Sequence, residues 1–182
     1  MKKIIFQTIG LNLIFLLIIS CCQRQGDLIE RRTLNNEDLA RVAYTDEEII
    51  SLSHSNGFIF EATLSSERFF SSTQEECEDY FENEILNWHF TSEIPRLDIS
   101  LKLSKFSNDE DALFSMTSER RFSFVNIDSI FQTIEIEGVS FENVLKYESL
   151  DVDYPIRDLY YNSTQGIIKI NYSDSTHVQI IP

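Results

Sequence analysis

From its amino end the chain shows three successive patterns of apolar and polar positions. Residues 4–19 are almost continuously apolar, interrupted only by Gln7, Thr8, Gly10 and Asn12. Residues 22–35 (CQRQGDLIERRTLN) are polar and mixed in charge without a sustained apolar period, which predicts a flexible tether. From Asn36 on, apolar residues recur periodically. The period reads as helical at first and becomes strand-like after Trp88.

Two helices are expected in the first part. Leu39, Val42 and Ala43 make a weak helical face, and Thr45-Asp46-Glu47-Glu48 reads as a capping box, with Ile49, Ile50, Leu52 and Ser53 continuing the helix to the stop signal Asn56-Gly57. Phe58 to Leu64, rich in aromatic and β-branched residues, predicts a strand. A second capping box, Thr73 with Glu76, opens a helix over residues 74–87. Cys77, Phe81, Ile85 and Trp88 fall on one side of it. Glu75, Glu76, Glu78 and Asp79 sit at its start, where the helix dipole favours acids. Cys77 is then a small buried residue rather than a nucleophile.

The remainder predicts strands. Leu97, Ile99, Leu101 and Leu103 alternate with polar residues, and the turn Asn108-Asp109-Glu110-Asp111 follows. Shorter strands are expected over 112–117, 121–127, 130–137, 139–147, 159–161, 166–172 and 176–181, separated by turns such as Glu137-Gly138 and Ser173-Asp174-Ser175. Tight turns between consecutive strands favour a meander.

Ahead of the tether, Lys2 and Lys3 precede the apolar run, which ends in Ile18-Ile19-Ser20-Cys21. This start resembles a bacterial lipoprotein signal. The resemblance implies a signal peptide over residues 1–20, cleavage behind Ser20, and Cys21 as the lipid attachment site, with diacylglycerol on its sulfur and an N-acyl chain. An ordinary secretory signal and a transmembrane helix are the other readings. The run falls short of the roughly 20 apolar residues that a spanning helix needs. In Bacteroidota, lipoproteins sent to the cell surface carry an acidic run behind the cysteine. Residues Cys22-Gln23-Arg24-Gln25-Gly26-Asp27 hold one late acid, which points to the periplasmic side.

The last third resembles small envelope lipoproteins of the Bacteroidota. The residues that carry the likeness are Ile134 to Lys146 with its Phe141-Glu142-Asn143-Val144, then Tyr160-Tyr161, Gly166-Ile167-Ile168-Lys169-Ile170 and the closing hairpin. The likeness implies a curved antiparallel sheet, with Gly166 relieving a bend that a side chain would crowd. Some of these folds are similar to half-barrel carriers whose concave face holds acyl chains. Asp128-Ser129-Ile130 and Asp174-Ser175-Thr176 match the short O-glycan signal of this phylum.

Charge narrows the function classes. With 30 Asp and Glu against 15 Lys and Arg, the chain has a formal charge of −15, which repels nucleic acid and anionic head groups. Three cysteines, one expected to carry lipid, make no disulfide framework. His54, His89 and His177 lie far apart with no ligand spacing, so no metal site is expected. The turn at Asn108 lacks the alternating acids and glycine of a calcium loop. There is no Gly-x-Ser-x-Gly elbow, phosphate loop or dinucleotide fingerprint. Trp88 and His89 are candidates to line a groove, though core packing suits the tryptophan as well. Lys169 is expected on the solvent face.

The expected fold is therefore α+β, N-terminal helices packed on a curved antiparallel meander that approaches a half-barrel, as a single domain over residues 36–182. The expected role is non-enzymatic: a binding or accessory subunit of the bacterial envelope without cofactor, held to the membrane by its N-terminal lipid and open to an envelope protein partner. A carrier or sensor of an acyl-chain ligand is the alternative, and a glycan or lipid hydrolase a more distant one.

Overall fold

The computed structural model describes residues 26–44, 47–73, 79–119, 122–126 and 132–181. Among them are twelve strands and one short helix: β1 (Leu28–Arg32), α1 (Asn36–Leu39), β2 (Glu48–His54), β3 (Ile59–Thr73), β4 (Tyr80–Ser92), β5 (Leu97–Ser104), β6 (Leu113–Ser118), β7 (Phe122–Asn126), β8 (Gln132–Ile136), β9 (Val139–Ser149), β10 (Ile156–Asn162), β11 (Gly166–Tyr172) and β12 (His177–Ile180).

Ten of these strands form a ring. In the order β2, β3, β4, β5, β6, β7, β9, β10, β11, β12, each pairs antiparallel with the next, and β12 pairs with β2. The ring is thus an up-and-down barrel that leaves no open edge among its members. Side chains from neighbouring strands fill it in layers. Register sets Leu64, Phe90 and Ile99 abreast, and one step along it sets Trp88, Leu101 and Met116 abreast. Phe90, Leu101, Met116, Leu159, Ile168 and Ile170 are fully excluded from solvent and occupy the interior.

Two parts depart from the ring. β3 outruns β2, whose first residue Glu48 lies opposite Leu64, so Ser65–Thr73 pair with β4 alone. This two-stranded extension gains β1, which lies parallel to β4 from Leu28 opposite Tyr80 to Arg32 opposite Asn83. The second departure is the hairpin of β8 and β9. Glu137 and Gly138 both have positive φ, the pair a tight primed turn requires. At Asn143, φ +55, β9 bends, and beyond it pairs with β10 and β7. Asn162 Nδ2 donates to the Glu142 carbonyl at this bend, 3.1 Å.

The chain between β1 and β2 crosses one end of the ring as a plug. Leu34, Val42 and Tyr44 are buried there. Asn35 caps α1 and exchanges bonds with Asp38. Arg41 Nη1 donates to the Ala112 carbonyl at 2.6 Å. The Tyr161 hydroxyl accepts from Ala43 N–H and donates to Arg41 O, both 3.2 Å. Each partner lies where β6 begins or β10 ends, so the plug stitches one rim together.

The fold class differs from the expected α+β. The described residues are nearly all strand, none of them forms an N-terminal helix packed on the sheet beyond the single turn of α1, and the sheet closes rather than stopping at a half-barrel. The described part of the first expected helix is β2. Its Leu52 is buried while Ile49 and Ser51 are exposed, and its backbone pairs with β3 over Glu48–Ser53 and with β12 over Leu52–His54. A capping box contributes about 1 kcal/mol, too little against two ladders. The described part of the second is β4, with Leu86, Trp88 and Phe90 facing inward. The helical spacing of Phe81, Ile85 and Trp88 is a coincidence of a strand buried on both faces. Cys77 lies outside the described residues. The expected tether also holds structure, because residues 28–32 are β1, added to the long edge of β4.

Candidate functional site

One recess of the described structure opens at the plugged rim. Register between β3 and β4 sets Ser66 beside Trp88 and Arg68 beside Leu86, all on the inward face. Leu39 and Tyr44 of the plug and Glu47 ahead of β2 complete the wall, enclosing about 690 Å3. That volume falls in the range of small-molecule sites, about 300–1,000 Å3. The lining divides evenly between apolar and polar groups. Leu39, Leu86 and Trp88 offer an apolar wall, and Ser66, Arg68 and Glu47 offer hydrogen-bonding groups.

Arg68 is fixed in place. Its Nε donates to Glu84 Oε1 at 2.5 Å, and Glu84 Oε2 accepts the Leu34 N–H at 2.7 Å. Glu84 is nearly excluded from solvent, whereas the Arg68 side chain is 53% exposed. Burial alone would raise the Glu84 carboxyl, but the Arg68 hydrogen bond, the Leu34 N–H and the Arg68 charge outweigh it and leave the group below the usual carboxylate range. The same pairing holds Arg68 above its ordinary value. One carboxylate therefore ties the recess to the plug and aims a cation at the opening.

The back wall is equally constrained. Tyr44 packs on Gly166, and its hydroxyl accepts the Ile167 N–H at 2.6 Å. Gly166 has φ +82, and any Cβ there would overlap the tyrosine ring. Burial pushes the Tyr44 hydroxyl far above its ordinary value.

On the outer face of β3 to β5 a second group assembles. Glu67 Oε1 lies 3.4 Å from His89 Nε2, Asn87 Nδ2 lies 2.8 Å from the same nitrogen, and Ser100 Oγ lies 3.2 Å from His89 Nδ1. The acid, base and hydroxyl resemble a nucleophilic relay in composition. Ser100 sits mid-strand with ladders to β4 and β6 on its two sides, so its neighbouring backbone N–H groups are engaged in the sheet rather than aimed at an oxyanion. Among the described residues no group of three His, Cys, Asp or Glu could hold a metal ion.

The sequence candidates divide accordingly. Trp88 lines the recess, while His89 faces the opposite side of the sheet. Lys169 is partly exposed on β11. Asp174 and Thr176 form an exposed turn closed by the Asp174 carboxylate. Cys21 and Asp128-Ser129-Ile130 lie outside the described residues, and no described helix is long and apolar enough to cross a membrane. Arg68, Glu84 and Tyr44 carried no motif. Alternation from Leu64 through Ser66 to Arg68 was the one signal for the first of them.

No protein-family model matches this chain, and no curated protein or solved structure is significantly similar to it.

Proposed function

We propose that the protein is a non-enzymatic binding module of the bacterial envelope, tethered through lipid on Cys21 and facing the periplasm, that takes an amphiphilic ligand at the plugged rim. The observation that carries this reading is the recess of about 690 Å3, apolar on the Leu39, Leu86 and Trp88 side and hydrogen-bonding on the Ser66, Arg68 and Glu47 side. An apolar segment lies against the first wall and its polar head meets Arg68, a division of labour common to small-molecule sites. The filled interior moves the ligand from the concave sheet face to the mouth.

The test is native mass spectrometry of the full-length protein released from membranes in mild detergent. The wild type is expected to retain a small amphiphile. Ser66→Trp, which fills the recess from its wall, is expected to lose it, and His89→Ala on the outer face to keep it. An empty wild type, or the same adduct on all three, would overturn the reading.

A further inference from the structure

The first described residues and the β3–β4 extension are one unit. Asp27 N–H donates to Asp79 Oδ1 at 2.9 Å, Tyr80 N–H donates to Asp27 O at 3.1 Å, and Leu28 lies opposite Tyr80. The chain thus joins the extension at its end farthest from the ring and runs along β4 toward the mouth. Residues 22–27 are all that separate Cys21 from Leu28. At about 3.3–3.6 Å per residue, they reach no more than roughly 25 Å.

The extension exposes large apolar side chains: Leu28 at 41%, Ile29 at 57%, Phe69 at 42% and Phe70 at 41%. Phe69 and Phe70 are consecutive in a strand and therefore point to opposite faces. A protein partner covers one face of a ribbon, whereas a bilayer surrounds both. The arginines beside them are already paired. Arg31 meets Glu82 at 2.6 Å and lies 4.8 Å from the Phe70 ring centre, and Arg32 meets Glu30 at 3.2 Å and lies 3.8 Å from that of Phe81. Paired charges over aromatic rings suit the head-group region, where such side chains settle with their apolar bodies inward.

We infer that the ribbon of β1, β3 and β4 is a second membrane contact, seated in the bilayer that holds the Cys21 lipid, with Leu28, Ile29, Phe69 and Phe70 as the contact residues. This inference rests on the lipid anchor proposed above. It turns the plugged rim and its recess toward the bilayer. Asp27 and Asp79 stand together at the far end of the ribbon, so the contact favours zwitterionic over anionic head groups.

The experiment uses the full-length lipidated protein with Cys22→Ser and Cys77→Ser, and one new cysteine in place of Ile29, Phe70 or Val152. Val152, 93% exposed, lies at the opposite end of the ring and serves as control. Each variant carries a fluorophore and is reconstituted in phosphatidylethanolamine and phosphatidylcholine vesicles containing a spin-labelled lipid quencher. Quenching at positions 29 and 70 is expected to exceed that at 152 several-fold, and to weaken when phosphatidylglycerol is added. Equal quenching at all three positions overturns the contact. Intact mass of the same samples separates the two claims. Unlipidated Cys21 removes the anchor and the contact with it, whereas lipidated Cys21 with unquenched positions 29 and 70 removes the contact alone.

Discussion

Lys105 Nζ and Asp38 Oδ2 stand 2.9 Å apart with both side chains almost wholly excluded from solvent. Nζ also donates to the Glu110 carbonyl at 2.7 Å, and Asp38 Oδ1 accepts the Ala112 N–H at 2.8 Å. One residue of the plug is thereby bolted to the turn between β5 and β6. Breaking a buried pair from one side leaves a stranded charge and costs about 3–5 kcal/mol. Asp38→Asn and Lys105→Met are each expected to lower urea stability by roughly that amount, and the double variant to lose clearly less than their sum. Additive losses in a urea double-mutant cycle would mean that the two residues act separately.

Acid should loosen the plug before it melts the ring. Burial opposes the charge on Asp38, but Lys105 and the Asn35 and Ala112 N–H groups hold its carboxyl below the usual value, and Glu84 is lowered as well. Because the folded values lie below the unfolded ones, the unfolded chain takes up protons first. The stability these groups contribute is present above the unfolded carboxylate range, near pH 4, and is lost as pH falls through the lowered folded values. Urea midpoints are expected to hold from neutrality to about pH 5 and fall below about pH 4, with a shallower fall in Glu84→Gln. A midpoint that does not move on acidification contradicts the pairing.

Gly166 packs against Tyr44 of the plug. Gly166→Ala demands both a left-handed backbone and space already filled by Tyr44, so it is expected to cost well over 1 kcal/mol. Tyr44→Phe orphans the buried Ile167 N–H and is expected to cost about 1–3 kcal/mol. Chemical denaturation of the two variants checks both figures.

At the other end of the ring, the Tyr172 hydroxyl is buried without a hydrogen-bond partner among the described residues. Burial first, then the neighbouring Tyr154 and Asp174, push its value up to about 12. An unpaired buried hydroxyl costs free energy, so Tyr172→Phe is expected to be neutral or to stabilise by about 1 kcal/mol. Destabilisation beyond about 1 kcal/mol in the same assay would show that the hydroxyl has a partner.

Most strands after Trp88 were legible because apolar and polar residues alternate along them, as in Leu97 to Leu103, whose apolar residues are buried. Gly166 was expected to relieve a bend of the sheet, whereas the group that a side chain there would meet is Tyr44 of the plug. β2 and β4 were not legible, for two physical reasons. Ile49, exposed beside the inward Ile50, makes an apolar doublet that mimics a helical face. Glu84, an acid on the inward face of β4, hides the alternation that Leu86, Trp88 and Phe90 carry. Its charge is tolerated because Arg68 and Leu34 N–H meet it, and these partners stand 16 and 50 residues away. Pairing at that distance leaves no local trace. Ring closure depends on β4 meeting β5 and β12 meeting β2, and it is equally silent in the sequence.

The measurement that bears most directly on a lipid-tethered binding module is the intact mass and N-terminal peptide of the full-length protein taken from the membrane fraction. The expected result is a chain beginning at Cys21 that carries a diacylglyceryl thioether and an amide-linked acyl chain, with Cys21→Ser released from the membrane. A chain that keeps residues 1–20, or begins elsewhere without lipid, would contradict the anchor and with it the orientation of the recess toward the bilayer.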